Sequence, residues 1–213
     1  MARTVMNLIF LMLFSTTCCR AYDFTWGLAR SVGDTLKPGD ILNSSSCLVS
    51  ASSNFILAFS KPVHLLDTYL CIWRNDSSST WNANRLRPLL YPQGVLSWDE
   101  DGRRLRIIDP AGDPISLFKP SESTDYEISN TSTLMARLLD DGNLVVQELD
   151  VYRSTKVLWQ SFDSPTDTLL PGMKLGVNRR TRRIWALKSW STENSPNPGA
   201  FSLQWDPYAR QLQ

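Results

Sequence analysis

The chain has 213 residues, 42% of them hydrophobic and 20% charged, enough for one well-filled core or two small ones. With 22 basic and 21 acidic side chains the formal net charge is +1, too near neutrality for a nucleic acid or an anionic membrane to be the main partner. One histidine and four cysteines leave little material for a metal centre or a histidine-assisted nucleophile, so no cofactor is implied and no enzyme is expected.

Residues 1–21 read as a secretory signal peptide. Arg3 precedes an apolar run from Val5 to Phe14 broken only by Asn7, and small residues lead through Cys19-Arg20 to Ala21. The run falls short of the roughly 20 apolar residues that a membrane anchor needs, and no later segment could span a bilayer. Loss of 1–21 takes Arg3 and Arg20 from the 22 basic side chains, leaving 20 against 21 acidic, a net of −1. Asn-x-Ser/Thr sequons at Asn43, Asn75 and Asn130 suit the surface of a secreted glycoprotein.

Beyond the leader, short alternating runs such as "FILAFS" (55–60), "LRII" (105–108), "LVVQ" (144–147) and "FSLQW" (201–205) lie between clusters of Gly, Pro, Asp, Asn and Ser. No window sustains a helical apolar period, so an all-β protein is predicted. Successive antiparallel strands are expected at 48–50, 54–59 and 69–74. Cys47 and Cys71 are the pair that remains after the leader, and an oxidising compartment invites a disulfide between them. An intervening strand would hold them about 9–10 Å apart where a bridge wants under about 7 Å, so two unbridged thiols are expected. His64, in "KPVHLLD", reads as a loop histidine.

Internal repetition is the most informative feature. A turn-and-strand unit occurs at "SASSNFILAF" (50–59), "DEDGRRLRII" (99–108) and "LDDGNLVVQE" (139–148). One unit cannot bury its apolar face alone, whereas three can close around a shared centre. A longer echo links "GDTLKPGDIL" (33–42) to "TDTLLPGMKL" (166–175), as though a second copy of the domain begins there.

The order "YLCIW" (69–73), "WNANRLRPL" (81–89), "LLDDGNLVV" (138–146) and "VLWQSFDSPTDTLLPGMKLG" (157–176) resembles the extracellular part of plant S-domain, or G-type lectin, receptor-like kinases, which are built on bulb-type mannose-binding lectin domains. The resemblance implies a β-prism of three four-stranded sheets with pseudo-threefold symmetry over 22–160, followed by the incomplete start of a second lectin-like, S-locus-glycoprotein-type copy over 161–213. It places indoles of Trp73, Trp81 and Trp159 in the core. With the leader and the sequons, a secreted, apoplastic protein is expected, or one on the plasma-membrane exterior if a longer form exists. No phosphate-binding or catalytic-loop motif is present, so kinase chemistry is not expected of these residues.

The same resemblance implies pockets of the form Gln-x-Asp-x-Asn-x-Val-x-Tyr, in which alternate residues line one strand face and pair with sugar hydroxyls. The third unit places Leu139, Asp141, Asn143, Val145 and Gln147 there, matching at three of five positions. The second gives Asp99, Asp101, Arg103, Leu105 and Ile107, and the first Ser50, Ser52, Asn54, Ile56 and Ala58. A lost hydrogen bond costs on the order of 1 kcal/mol, enough to erase a shallow monosaccharide site. Asp141-Gly142 also suits a hairpin turn, with Asn143 satisfying nearby backbone groups. Basic clusters at Arg179, Arg180, Arg182, Arg183 and at Arg103, Arg104, Arg106 are either docking points for an acidic partner or solvated hairpin surface. Three functional readings follow: a recognition module for a protein or peptide ligand or a related receptor ectodomain, as monomer, homodimer or heterodimer; a mannose-type glycan lectin using the third unit; and an inactive remnant of a receptor kinase.

Overall fold

The computed structural model describes residues 29–60, 67–90, 93–120, 132–152, 154–193 and 195–213. Residues 1–21, read as a signal peptide, His64 and Asn130 lie outside them. Strands β1 (Arg30–Ser31), β2 (Thr35–Leu36), β3 (Ile41–Leu42), β4 (Ser46–Val49), β5 (Phe55–Ser60), β6 (Tyr69–Arg74), β7 (Ser79–Asn82), β8 (Val95–Trp98), β9 (Leu105–Ile108), β10 (Ile115–Phe118), β11 (Thr133–Leu138), β12 (Leu144–Leu149) and β13 (Thr155–Gln160) form three sheets. Their orders are β1-β4-β5-β6-β7, β10-β9-β8-β3 and β13-β12-β11-β2. The fold is an all-β prism; among the described residues the helical content is one short turn, Ser161–Asp163. The first sheet carries one strand more than expected, because β1 joins its edge parallel to β4.

Alternation along the strands supplies the core. Phe55, Leu57 and Phe59 of β5, Leu105 and Ile107 of β9, and Leu144 and Val146 of β12 point into one cluster with Leu36 and Leu42. Each such side chain contributes about 1.5–3 kcal/mol when fully withdrawn from water. The segment 33–42 ties two sheets together, since β2 pairs with β11 and β3 with β8. Between them Pro38-Gly39 makes the corner: Gly39 has φ of 94°, and Asp40 N donates to Lys37 O at 2.9 Å. The sequence echo at 166–175 keeps that corner, with Gly172 at φ of 95° and Met173 N donating to Leu170 O at 3.0 Å.

The three repeats share a turn. Ser53, Gly102 and Gly142 hold φ of 60°, 65° and 86° and donate to the carbonyls of Ser50, Asp99 and Leu139. Their lengths differ, however. Between the last inward-facing residues of each hairpin lie 51–54, 99–104 and 139–143. Asp140 of the third turn accepts Ser52 N of the first at 2.6 Å, joining neighbouring turns.

Residues 161–213 add three two-stranded sheets: β14 (Gly176–Asn178) with β15 (Arg183–Trp185), β16 (Leu187–Thr192) with β17 (Ser195–Leu203), and β18 (Trp205–Asp206) with β19 (Gln211–Leu212). The run 201–205, read as one strand in the sequence, is divided at Gln204 between β17 and β18. Isolated two-stranded ribbons are marginal in water, so the β16–β17 hairpin needs a surface to lie on. It finds one on the outer face of the first sheet.

That placement corrects one expectation about tryptophan. Trp81 and Trp159 meet edge to face, 6.1 Å between ring centroids, beside the central core. Trp73 is buried instead on the opposite face of β6, in a satellite cluster with Tyr69 and Cys71. Trp190 is buried while Trp185 and Trp205 are half-buried.

The two turn glycines separate backbone strain from packing. A Cβ on Gly142 would lie 2.7 Å from Phe55 and 3.0 Å from Leu170, whereas one on Gly39 meets nothing within 4 Å. Gly39→Ala is expected to cost about 1–2 kcal/mol for the left-handed backbone alone. Gly142→Ala adds about 1–3 kcal/mol of overpacking, read as a larger drop in urea midpoint; equal losses would contradict this packing.

Candidate carbohydrate faces and the clamp between the sheets

The third unit offers the fullest set of sugar-type residues, and the structure shows what each does. Asp141 Oδ1 accepts the amide of Asn143 at 2.9 Å, closing the turn. Asn143 is 6% exposed. Its Oδ1 accepts Ser161 Oγ at 3.1 Å and Phe162 N at 3.2 Å, and its Nδ2 donates to Gln160 Oε1 at 2.9 Å. Ser161 Oγ in turn accepts Leu144 N at 2.9 Å. A carboxamide has two acceptor sites and two donor hydrogens, so one hydrogen is left once these bonds are made. Asn143 therefore staples the start of β12 to the turn after β13.

Val145 is buried, Gln147 half-buried, and Leu139 presents an aliphatic chain where the motif wants an amide. Val145 lies in register with Arg137 on one side and Gln160 on the other, and Gln147 with Met135 and Val157. Arg137 Nε donates to Asp34 Oδ2 at 2.8 Å, which with Thr35 holds the Asp34 carboxyl below its ordinary range against the desolvation that raises it. Val145 and Gln147 are thus on one face of β12 and Asp141 stands in the turn before it, while the Asn143 carboxamide oxygen is committed to the framework.

The other two faces depart further. In the second unit the longer segment 99–104 shifts the register: Leu105 and Ile107, read from sequence as sugar-facing, are both 0% exposed in the core. The outward row there is Ile41, Ser97, Arg106 and Ser116. Asp99 Oδ1 accepts the amides of Arg103 and Arg104 at 2.8 and 3.0 Å, which makes the acidic run a turn. In the first unit Ser50 Oγ accepts Phe55 N at 3.1 Å and Asn54 Oδ1 accepts Asn75 Nδ2 at 3.2 Å. Ala58 lies between Cys47 and Cys71, which pair with it from either side and are free thiols. Burial pushes both thiols up. The sequons at Asn43 and Asn75 are exposed on turns.

What covers the first face is a clamp that sequence reading missed. Arg85, 6% exposed, donates from Nη1 to Lys188 O at 2.8 Å and from Nε and Nη2 to the carbonyls of Pro196 and Ser189. The Asp167 carboxylate lies 3.9 Å from Nη1. Desolvation pushes the Asp167 carboxyl up, opposed by Arg85 and by bonds from Thr166, Trp190 and Thr168. Thr168 Oγ1 donates to Ser79 O at 3.3 Å, Tyr69 OH to Asn197 Oδ1 at 3.4 Å, and Trp81 Nε1 to Ser164 O at 2.9 Å. The sequence carries no local mark of the pair: Leu86 beside Arg85 is exposed, and the residues of "SPTDT" around Asp167 are half-buried or exposed.

Three sheets closed around a common core, with the first and third hairpin turns joined, define a lectin-type β-prism. The chain belongs to the D-mannose binding lectin family, whose profile matches residues 78–191. It is similar to two G-type lectin S-receptor-like serine/threonine-protein kinases of Arabidopsis thaliana. One is 40% identical over 210 residues, covering 94% of this chain, and the other 41% over 189 residues, covering 84%. The chain spans 22% of the length of each. A solved Marasmius oreades lectin aligns with TM-score 0.43 and 17% identity, over 62% of this chain and 94% of its own. Among the described residues no helix is long and apolar enough to cross a membrane, and no cluster of three or more His, Cys, Asp or Glu could hold a metal ion.

Truncating Arg85 would leave Asp167 and three carbonyls without their partner. Arg85→Ala is expected to destabilise by about 3–5 kcal/mol in urea unfolding, and Arg85→Lys to recover only part, since an ammonium's three donors radiate from one nitrogen and cannot reach acceptors spread over three guanidinium nitrogens. A loss below about 1 kcal/mol would contradict the clamp. Cys47 and Cys71 should be silent to a thiol reagent at mildly alkaline pH in the folded chain and react after denaturation; reaction of Cys71 without unfolding would show its face uncovered.

Proposed function

We propose that this chain is an extracellular, secreted lectin-like recognition domain that binds a protein or peptide ligand, or a related receptor ectodomain, away from the three hexose-type positions, and that it does no catalysis. The observation that carries the reading is the Asn143 carboxamide, whose two acceptor sites are filled by Ser161 and Phe162 and whose one described donor bond goes to Gln160. A hexose hydroxyl could donate to this group only by displacing a framework bond, at a cost of about 1–3 kcal/mol for each buried group so orphaned, and a single Nδ2 hydrogen is all that stays open to a sugar oxygen. Support for secretion comes from the leader-like 1–21 and the exposed sequons at Asn43 and Asn75. In this reading 22–160 is the lectin domain and 161–213 opens a second lectin-like region whose β16–β17 hairpin covers the first sheet.

A mannose lectin working through Asp141, Val145 and Gln147 is the competing reading, favoured by the common face of Val145 and Gln147 on β12, by Asp141 in the adjoining turn and by the family. Titration with methyl α-mannoside, followed by amide chemical shifts, separates the two. Dissociation constants weaker than about 10 mM, equivalent to less than about 3 kcal/mol of binding, are expected. Asn143→Ala should lower stability by about 1–3 kcal/mol without altering any residual mannoside response. Saturable sub-millimolar binding that Gln147→Ala abolishes would overturn the proposal.

A further inference from the structure

We propose that the groove beside the β14–β15 turn docks an extended acidic peptide segment that also carries aliphatic or aromatic side chains. This rests on the reading that recognition takes place away from the hexose positions, and names the chemistry of the partner.

The turn concentrates positive charge. Asn178 Oδ1 accepts the amides of Arg180 and Thr181 at 3.0 and 3.1 Å, folding the tip tightly. Arg182 holds φ of 58°, a left-handed conformation that disfavours side chains other than those of glycine, asparagine and aspartate. Arg183 is engaged at home: it donates to Asp163 O, and its guanidinium lies 5.5 Å from the Trp185 ring centroid. Arg179, Arg180 and Arg182 are exposed and take part in none of the ion pairs among the described residues.

Apolar surface adjoins that charge. A groove of about 680 Å³ is lined by Val177, Ile184, Trp205 and Tyr208 together with Arg179 and Arg182. Ile184 is 57% and Tyr208 95% exposed, so their hydrophobic surface is not spent within the described chain. Through Ile184 and Gln204 the groove shares its wall with a second one of about 660 Å³ that reaches Leu86. The two together offer the length an extended segment needs. β14 and β15 pair only with each other among the strands, leaving a free edge on each for main-chain bonds.

Charge complementarity selects the occupant. The groove's one carboxylate, Asp206, uses Oδ1 to accept the amides of Tyr208 and Ala209 at 2.7 and 3.0 Å. Arg179 and Arg182 make no ion pair among the described residues, and guanidinium forks match carboxylates in pairs, so acidic groups on an occupant would meet them. An acidic glycan would bring hydroxyls along its whole length, and Val177 and Ile184 have no polar atom to meet them. Apolar side chains alternating with Glu or Asp satisfy both walls.

The test is a heptapeptide array in which the number of Glu or Asp and the number of Leu or Phe vary independently, probed with the whole secreted chain. Retention is expected to need both residue classes and to fall about tenfold in the Arg179→Ala/Arg182→Gly double variant. It should also fall in Ile184→Ser, while Arg104→Ala, in the other basic cluster, leaves it unchanged. Retention that follows acid content alone, retention indifferent to the double variant, no retention of any peptide, or stronger retention on polygalacturonate than on peptides would each overturn the inference. A failed array removes this site but not the broader recognition reading, which the mannoside titration judges separately.

Discussion

Arg85 spends all three guanidinium nitrogens on backbone carbonyls contributed by a hairpin more than a hundred residues away in sequence, with the Asp167 carboxylate alongside. A guanidinium withdrawn from water is costly unless each donor finds an acceptor, so its place beside β7 demands the β16–β17 backbone above it. The same contact meets the hairpin's own need, since a two-stranded ribbon does not persist alone. Around this point Tyr69, Cys71 and Trp73 become a small second core, and Thr168 and Trp81 add bonds on either side. The outer face of the first sheet, where Tyr69, Cys71 and Trp73 are buried, is thereby used for internal packing.

The three sheets share a plan but not a use for their outward faces. The turn is repeated with a left-handed residue at Ser53, Gly102 and Gly142, and the inward residues converge on one cluster. Outward, the first face is covered, the second carries Ile41, Arg106 and Ser116, and the third keeps Asp141, Val145 and Gln147 while Asn143 staples the frame. Symmetry thus persists where packing enforces it. On the outside, where only ligand chemistry would enforce it, the three faces have become different surfaces.

Much of this was legible in the residues. "LRII" is β9 to the residue and "FILAFS" is β5, one residue on from the expected span 54–59, because alternation bounded by turn signals leaves little choice of ends. The corner shared by "LKPGD" and "LLPGM" was visible because Pro followed by Gly dictates one turn type. The second-unit register was misread because aligning on Asp-Gly ignores loop length, and one additional residue between Gly102 and Leu105 exchanges the two faces of β9. Trp73 was assigned to the wrong face for a related reason: β6 is buried on both sides, so alternation carries no contrast there. Arg85 gave no local signal at all, because its partners are backbone carbonyls and backbone carbonyls have no sequence.

Hydrogen exchange on the intact chain, resolved to peptides covering 187–203 and 69–74, tests the central claim most directly. If the hairpin is clamped on the first sheet, both segments exchange slowly and lose protection together as denaturant rises, as parts of one cooperative unit. Exchange over 187–203 at the rate of an unstructured peptide, with 69–74 still protected, would contradict it.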